Sequence, residues 1–381
     1  MNEVILTNAL VVTRREAFRG TVSFDGASIT RVEHGLTGVS GALDCEGDLV
    51  LPGLIEMHTD NVERHFEPRP GVIWPSSLAA IMAHDAQMAS AGITTVFDAL
   101  SVGDYSAEQL RRRLLGLTVA GLKEGIKADA FRAEHWLHLR CEVSDPGVVD
   151  MFEPYAQESA VRLVSVMDHT PGQRQWRDVD KMRRVHSRKR TYTDEELRAF
   201  IADRQAKQDE FADRHRAAVL ALWAPRGWPV ASHDDTTAEH VAEGIRDGIT
   251  ISEFPTTALA AREARAAGMA TVMGSPNLVR GGSHSGNISA GELADEALLD
   301  GLSSDYVPVS LLHGALRLEE AHGFTLPEAI ATVTGNVADM LGFDDRGELV
   351  PEKRADIVRV RRLHGSVAAV RAVWRQGVRV A

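Results

Sequence analysis

Short apolar runs broken by glycine and aspartate open and close this chain, while a longer alternation of apolar runs with amphipathic stretches fills its middle. Residues 4–6, 10–13, 21–24 and 29–33 read as β segments between turn signals, and 356–360, 368–370 and 373–380 repeat the pattern at the other end. Between them lie eight candidate barrel strands: 49–58, 94–98, 135–142, 162–168, 229–232, 249–254, 270–273 and 302–305. Helical patterns such as 75–91 and 237–247 intervene. This alternation predicts an α/β fold, a (β/α)8 TIM-like barrel over residues 51–344. The terminal segments, 1–50 and 345–381, predict a small β-sandwich domain beside it. Residues 171–226 are too long and too charged for a plain βα connection and predict a helical excursion above the barrel.

Function in such barrels collects at the carboxyl ends of the strands. Six polar residues end apolar runs there: His58, Asp60, Glu142, His169, His233 and Asp305. Each alone has an ordinary reading, a hydrogen-bonded surface histidine or an N-capping aspartate. Together, three imidazoles and three carboxylates form a ligand set for one or two divalent ions. Imidazoles favour zinc and carboxylates favour manganese or magnesium. His58 and Asp60 are spaced by one residue and so share a strand face. The same alternation over 136–142 puts His138, Arg140 and Glu142 on one face and Leu137, Leu139 and Cys141 on the other, making Cys141 a core thiol rather than a nucleophile.

Composition narrows the classes. Hydrophobic residues make up 44% and charged residues 25% of 381 positions, average for a soluble globular protein. Two cysteines without CxxC spacing argue against a disulfide framework and suit a reducing cytoplasm. The first twenty residues lack the basic-then-apolar order of a signal peptide, and no apolar stretch approaches the roughly 20 residues a membrane span needs. A net charge of −12 argues against nucleic acid as a partner, while local basic clusters leave room for a small anionic substrate.

The run Pro52-Gly-Leu-Ile-Glu-Met-His-Thr-Asp60, the later His169, His233 and Asp305, and the split β domain resemble the amidohydrolase superfamily, a metal-dependent barrel family of hydrolases and deaminases. Its usual first-strand motif is His-x-His, and here Asp60 replaces the second histidine. By that resemblance Glu142 takes the bridging place between metals. Longer strings are more specific: His58-Thr-Asp-Asn-Val-Glu-Arg-His-Phe-Glu-Pro-Arg-Pro70, Asp168-His-Thr-Pro-Gly-Gln173, Ser232-His-Asp-Asp-Thr-Thr237 and Gly274-Ser-Pro-Asn-Leu-Val-Arg-Gly-Gly-Ser-His-Ser-Gly-Asn287. They resemble the diphosphatases of the carbon-phosphorus lyase pathway, whose pattern includes His-Thr-Asp. The resemblance implies cleavage of alpha-D-ribose 1-methylphosphonate 5-triphosphate to the 5-phosphate and pyrophosphate.

A triphosphate ester needs concentrated positive charge. Arg64, His65 and Arg69 follow the metal motif, and Arg280, Ser283, His284 and Asn287 sit in a loop whose Gly281, Gly282 and Gly286 permit close backbone approach. Arg174, near His169, is a further candidate contact. Asp305 is expected to accept the proton of the water that attacks the α-phosphorus, with Arg64, Arg280 and His284 steadying the departing pyrophosphate. Two other readings stand beside this one: a deaminase or C–N hydrolase on the same barrel, and a non-catalytic binding subunit. Barrels of this kind often pair through their helices, which leaves a homodimer open, and the sequence does not fix the oligomeric state.

Overall fold

The computed structural model describes residues 3–69, 71–103, 110–186, 193–283 and 286–381. At the amino end run β1 (Val4–Val12), β2 (Ala17–Asp25), β3 (Ser28–His34), β4 (Leu43–Asp44) and β5 (Leu49–Pro52). The chain then winds through β6 (Leu54–Thr59), β7 (Ile93–Val102), β8 (Glu134–Glu142), β9 (Val161–Met167), β10 (Val230–His233), β11 (Ile251–Glu253), β12 (Ala270–Gly274) and β13 (Gly301–Ser303). It ends in β14 (Ile357–His364), β15 (Val367–Arg375) and β16 (Val378–Arg379).

The terminal strands form one mixed sheet in the order β16-β15-β14-β5-β1-β2-β3, with β4 on β1. Strand β5 joins the two ends of the chain, parallel to β1 and antiparallel to β14. Its side chains alternate as a strand's must. Val50 packs with Leu6, Phe24, Ile357 and Trp374 in the domain's own core. Leu49 and Leu51 point the other way, with Val358 and Val373, onto barrel residues such as Met88 and Ile330.

The run 49–58, expected as one strand, is two, because the chain leaves the terminal sheet at Gly53 and enters the barrel. Gly53 N donates to Asp356 O at 2.7 Å. A methyl group at Gly53 would overlap the Thr94 hydroxyl and come within 2.9 Å of Asp356 Cβ. Gly53→Ala should therefore lose about 1–3 kcal/mol through overpacking. A urea midpoint matching the wild type would show that the crossing relaxes freely.

Strands β6 to β13 are each parallel to the next and make an eight-stranded barrel. Thr59 bridges Asp305 across the closing seam, where Asp60 N donates to Asp305 O and Asp305 N to His58 O, both at 3.2 Å. The Glu56 carboxyl reinforces the seam, accepting from His58 N at 2.8 Å and Ser304 N at 2.6 Å. Complete burial pushes Glu56 up to about 8. Ile55, Met57, Phe97, Leu163, Ala231, Ile251 and Val272 form one apolar cluster in the barrel. Cys141 packs in the surrounding apolar layer, where burial raises its thiol pKa.

Helices cover the barrel, and several begin at side chains that cap them: Ser76, Thr237 and Thr257 each accept from a backbone N–H three residues on. The segment after β9 is helical, with Val179–His186 followed by the thirty-residue helix Asp194–Trp223, which starts at a Thr193/Glu196 capping box. Gln208 of the long helix donates to Asp168 Oδ2 at 2.8 Å, and His215 Nδ1 contacts Asp145 O at 3.0 Å, so the helix leans on the carboxyl ends of β8 and β9. Among the described residues no helix is long and apolar enough to cross a membrane.

Candidate metal centre

The carboxyl ends of the strands surround a 610 Å³ cavity lined by His58, Asp60, Glu142, His169, His233 and Asp305, all six residues expected as ligands. A seventh residue organises two of them. Glu253, ending β11 and fully buried, places Oε1 3.1 Å from His58 Nδ1 and Oε2 3.4 Å from His233 Nδ1. One carboxylate thus holds the Nδ1 side of both rings and leaves both Nε2 atoms for the cavity, an arrangement that suits metal ligation. His138 stands edge-on to His58 with ring centroids 4.9 Å apart, and its Nε2 meets Ser165 Oγ at 3.0 Å. Burial drives His58 well below its ordinary value and lowers His138 and His233 to about 3. All three imidazoles are neutral near pH 7, the form that binds metals.

His169 is held differently. Its Nδ1 lies 2.6 Å from Glu142 Oε2, and Glu142 Oε1 also accepts from His169 N at 2.8 Å and Ser144 Oγ at 3.0 Å. Burial alone would depress His169, but Glu142 and Asp234 together outweigh it and push the imidazole up to about 9. Glu142, expected as a bridge, lines the cavity with both oxygens in contact with His169 and Ser144. Asp305 is raised to about 7 by burial and by the charge of Asp60. Three residues at strand ends adopt left-handed backbone: Asp234 (φ 57°), Phe254 (53°) and Asp305 (53°). Such clustering of sparsely populated conformations is common at functional sites. The donor set fits a divalent ion, since imidazoles and carboxylates converge there, and Asp234 Oδ2 among them is buried with no hydrogen-bond partner.

The expected substrate contacts divide. Arg280, Ser283 and Asn287 line the cavity, joined by Arg111, Arg140 and Arg204, which sequence reasoning had not assigned to substrate. Arg64, His65, Arg69 and Arg174 do not line it. The helix Val62–Phe66 buries Val62 and Phe66, and that register puts Glu63 on the cavity instead. Arg64 lies 5.7 Å from the Tyr306 ring, and Arg69 makes a bridge with Val72. Arg174 is buried behind β10, its guanidinium donating to His233 O at 3.1 Å, Asp235 Oδ1 at 2.6 Å and Glu243 Oε2 at 3.2 Å. It braces the strand that carries His233. His284 lies outside the described residues.

His65, half-buried, begins a chain of polar groups that is buried from Asn61 to Asp85. Its Nε2 meets Gln87 Oε1 at 3.1 Å and Asn61 Nδ2 at 3.3 Å, and Asn61 Nδ2 meets His84 Nδ1 at 3.1 Å. Asp98 then lies between His84 Nε2 at 2.7 Å and His135 Nδ1 at 2.8 Å. His135 Nε2 reaches Asp85 Oδ1 at 3.3 Å, and Asp85 is salt-bridged to Arg132.

Among known proteins, the alpha-D-ribose 1-methylphosphonate 5-triphosphate diphosphatase of Escherichia coli K12 is 42% identical over 379 residues, covering 99% of this chain and all of the relative. No family model matches the chain. Two solved structures share the fold. The N-isopropylammelide isopropylaminohydrolase of Burkholderia multivorans has a TM-score of 0.65 at 17% identity, covering 100% of this chain and 98% of its own. The dihydropyrimidinase of Brevibacillus agri has a TM-score of 0.62 at 13% identity, covering 99% and 95%. With the relative's full-length identity, and with a barrel of amidohydrolase type beneath it, this chain belongs to the alpha-D-ribose 1-methylphosphonate 5-triphosphate diphosphatase family.

Proposed function

We propose that this chain is a metal-dependent hydrolase that cleaves alpha-D-ribose 1-methylphosphonate 5-triphosphate to the 5-phosphate and pyrophosphate. The observation that supports it is one cavity holding both the donor set and four arginines, Arg111, Arg140, Arg204 and Arg280. A polyphosphate needs such cations, whereas hydrolysis of a neutral cyclic amide does not. Zinc is the ion this reading favours, because histidines supply much of the set, with manganese or magnesium as substitutes. A divalent ion there would polarise a phosphoryl oxygen and ease ionisation of the attacking water.

The chain's own residues supply the rest. Asp305, at the seam of the barrel, takes the proton of the water as its oxygen bonds to the α-phosphorus. The bond from that phosphorus to the oxygen bridging it to the β-phosphorus breaks, and pyrophosphate departs. Arg140 rises from β8 among the donors, while Arg111, Arg204 and Arg280 come from segments beyond the strand ends. In this reading Arg140 faces the reacting phosphoryl group and the others face the leaving group. Glu142 and Glu253 hold His169, His58 and His233 in fixed rotamers, so that little reorganisation accompanies the reaction.

Phosphate-product analysis on ribose 5-triphosphate esters tests this. Pyrophosphate should appear as the released fragment, should stop appearing after chelation, and should return when zinc is restored. Release of orthophosphate alone would discard the diphosphatase reading. Release of ammonia or a ring-opened amide from a cyclic substrate, with triphosphates untouched, would favour the C–N hydrolase instead.

A further inference from the structure

We propose that Asp234 is itself a ligand of the divalent ion, completing a three-residue set with His169 and His233; this rests on the metal dependence proposed above. Asp234 directly follows the β10 histidine and is 4% exposed. Its Oδ2 lies 3.5 Å from His169 Nε2 and 3.5 Å from His233 Nε2 and has no hydrogen-bond partner. The two contacts are ion pairs longer than a hydrogen bond, so the rings that face this buried oxygen compensate it only in part.

The spacing points to what would complete the compensation. Hydrogen bonds between nitrogen and oxygen run about 2.7–3.2 Å, so 3.5 Å is too long. Atoms each bound about 2.1 Å from one tetrahedral ion lie about 3.4 Å from one another, by the geometry of a tetrahedron. The same molecule provides the contrast. In the buried group His84, Asp98 and His135, the aspartate meets the two rings at 2.7 and 2.8 Å, with every contact a hydrogen bond. Of these two buried groups, the one around Asp234 stands at ligand distance.

Two further features aim the group. The Nδ1 atoms of His169 and His233 face Glu142 at 2.6 Å and Glu253 at 3.4 Å, which leaves their Nε2 atoms to converge on Asp234. The left-handed backbone of Asp234, φ 57°, is fixed by its N–H donating to Glu253 O at 2.9 Å. In plain strand alternation Asp234 would face away from the cavity that His233 lines, and the turn swings it back. An ion held by two histidines and one aspartate would keep a position for water or substrate, as in catalytic rather than structural sites.

The test compares the metal-free full chain with its Asp234→Asn and Asp234→Gly variants. Both replacements tolerate positive φ, so neither strains the turn. Zn²⁺ affinity is read by competition with a chromophoric chelator, and Co²⁺ loading by visible absorption. Affinity should fall by more than about 100-fold, beyond the roughly 10–100-fold that loss of an orienting partner causes. The cobalt band at saturation should also shift, while the metal-free Gly variant melts at or above the wild type. Variants that bind Zn²⁺ like the wild type, or that keep an unchanged cobalt band, overturn the assignment. A wild-type chain that binds neither ion overturns the metal reading itself, and the two failures are thereby told apart.

Discussion

Asp305→Asn should lower kcat by about 10²–10⁴-fold, the usual worth of a positioned proton acceptor. Asparagine keeps the volume and accepts the left-handed backbone at this position, φ 53°, so the barrel seam should close as before. The seam's hydrogen bonds to residue 305 run through its main chain, which the substitution leaves intact. What is lost is the carboxylate, already prone to hold a proton because burial and Asp60 both raise it. The measurement is steady-state pyrophosphate release at saturating zinc, with metal content determined on the same samples. Turnover near wild type with metal retained would remove Asp305 from the proton transfer. A fall in kcat with KM little changed is the signature of an interaction made in the transition state.

Asp98→Ala should cost about 3–5 kcal/mol, because it strips a buried imidazolium of its closer counter-charge and leaves only Asp85, 3.3 Å from His135 Nε2. That is a large share of the roughly 5–15 kcal/mol by which domains are stable. His84, Asp98 and His135 are all buried. Burial opposes the charged form of His135, but Asp98 prevails and pushes it up to about 9. The histidine's folded value thus lies above its ordinary 6.5, so its contribution is full below about 6.5 and is lost as pH rises through about 9. Burial likewise opposes ionisation of Asp98, yet the charges of His135 and His84 hold it well below the usual carboxylate range. Its contribution is full above the ordinary carboxylate value and is lost only as pH falls far below it. Thermal melts across pH should therefore show a plateau from mildly acidic pH to about 6.5 and a decline toward 9. In Asp98→Ala the melting temperature should drop throughout and the alkaline decline should flatten. A variant melting with the wild type at neutral pH would deny the pair its stabilising role. Asp98→Asn, which retains one acceptor and removes the charge, should fall between the two.

Much of the architecture was legible in the chain. The eight apolar runs correspond to β6 to β13, because a strand buried between an inner core and a helical layer must be apolar on both faces. Strand ends were legible too, since a polar residue that closes an apolar run is a local signal. That brought His58, Asp60, Glu142, His169, His233 and Asp305 together as a set, and the cavity contains them. Glu253 escaped notice because the run 249–254 continues to Phe254 and hides it inside an apparent strand. Asp234 escaped because period-2 alternation assigns it the face opposite His233, and only its left-handed backbone returns it.

The cations show the limit most clearly. Arg64 and His65 neighbour the metal motif in sequence, yet burying Val62 and Phe66 brings Glu63 to the lining, while Arg64 stands over Tyr306, which lines the cavity, and His65 meets Gln87. Arg174 neighbours His169, yet two carboxylates of its own chain claim its guanidinium. Arg204, from the middle of the long helix, reaches the cavity from a region that composition alone reads as solvated surface. By itself the sequence determined strand order, the barrel and the residues that end its strands, because periodicity and termination are short-range properties of the chain. The tertiary structure alone decided which face each end residue presents, which carboxylates stand behind the histidines, and which arginines enter the cavity. Those outcomes depend on closure of the barrel and on helix registers set by burial, and no local pattern encodes either.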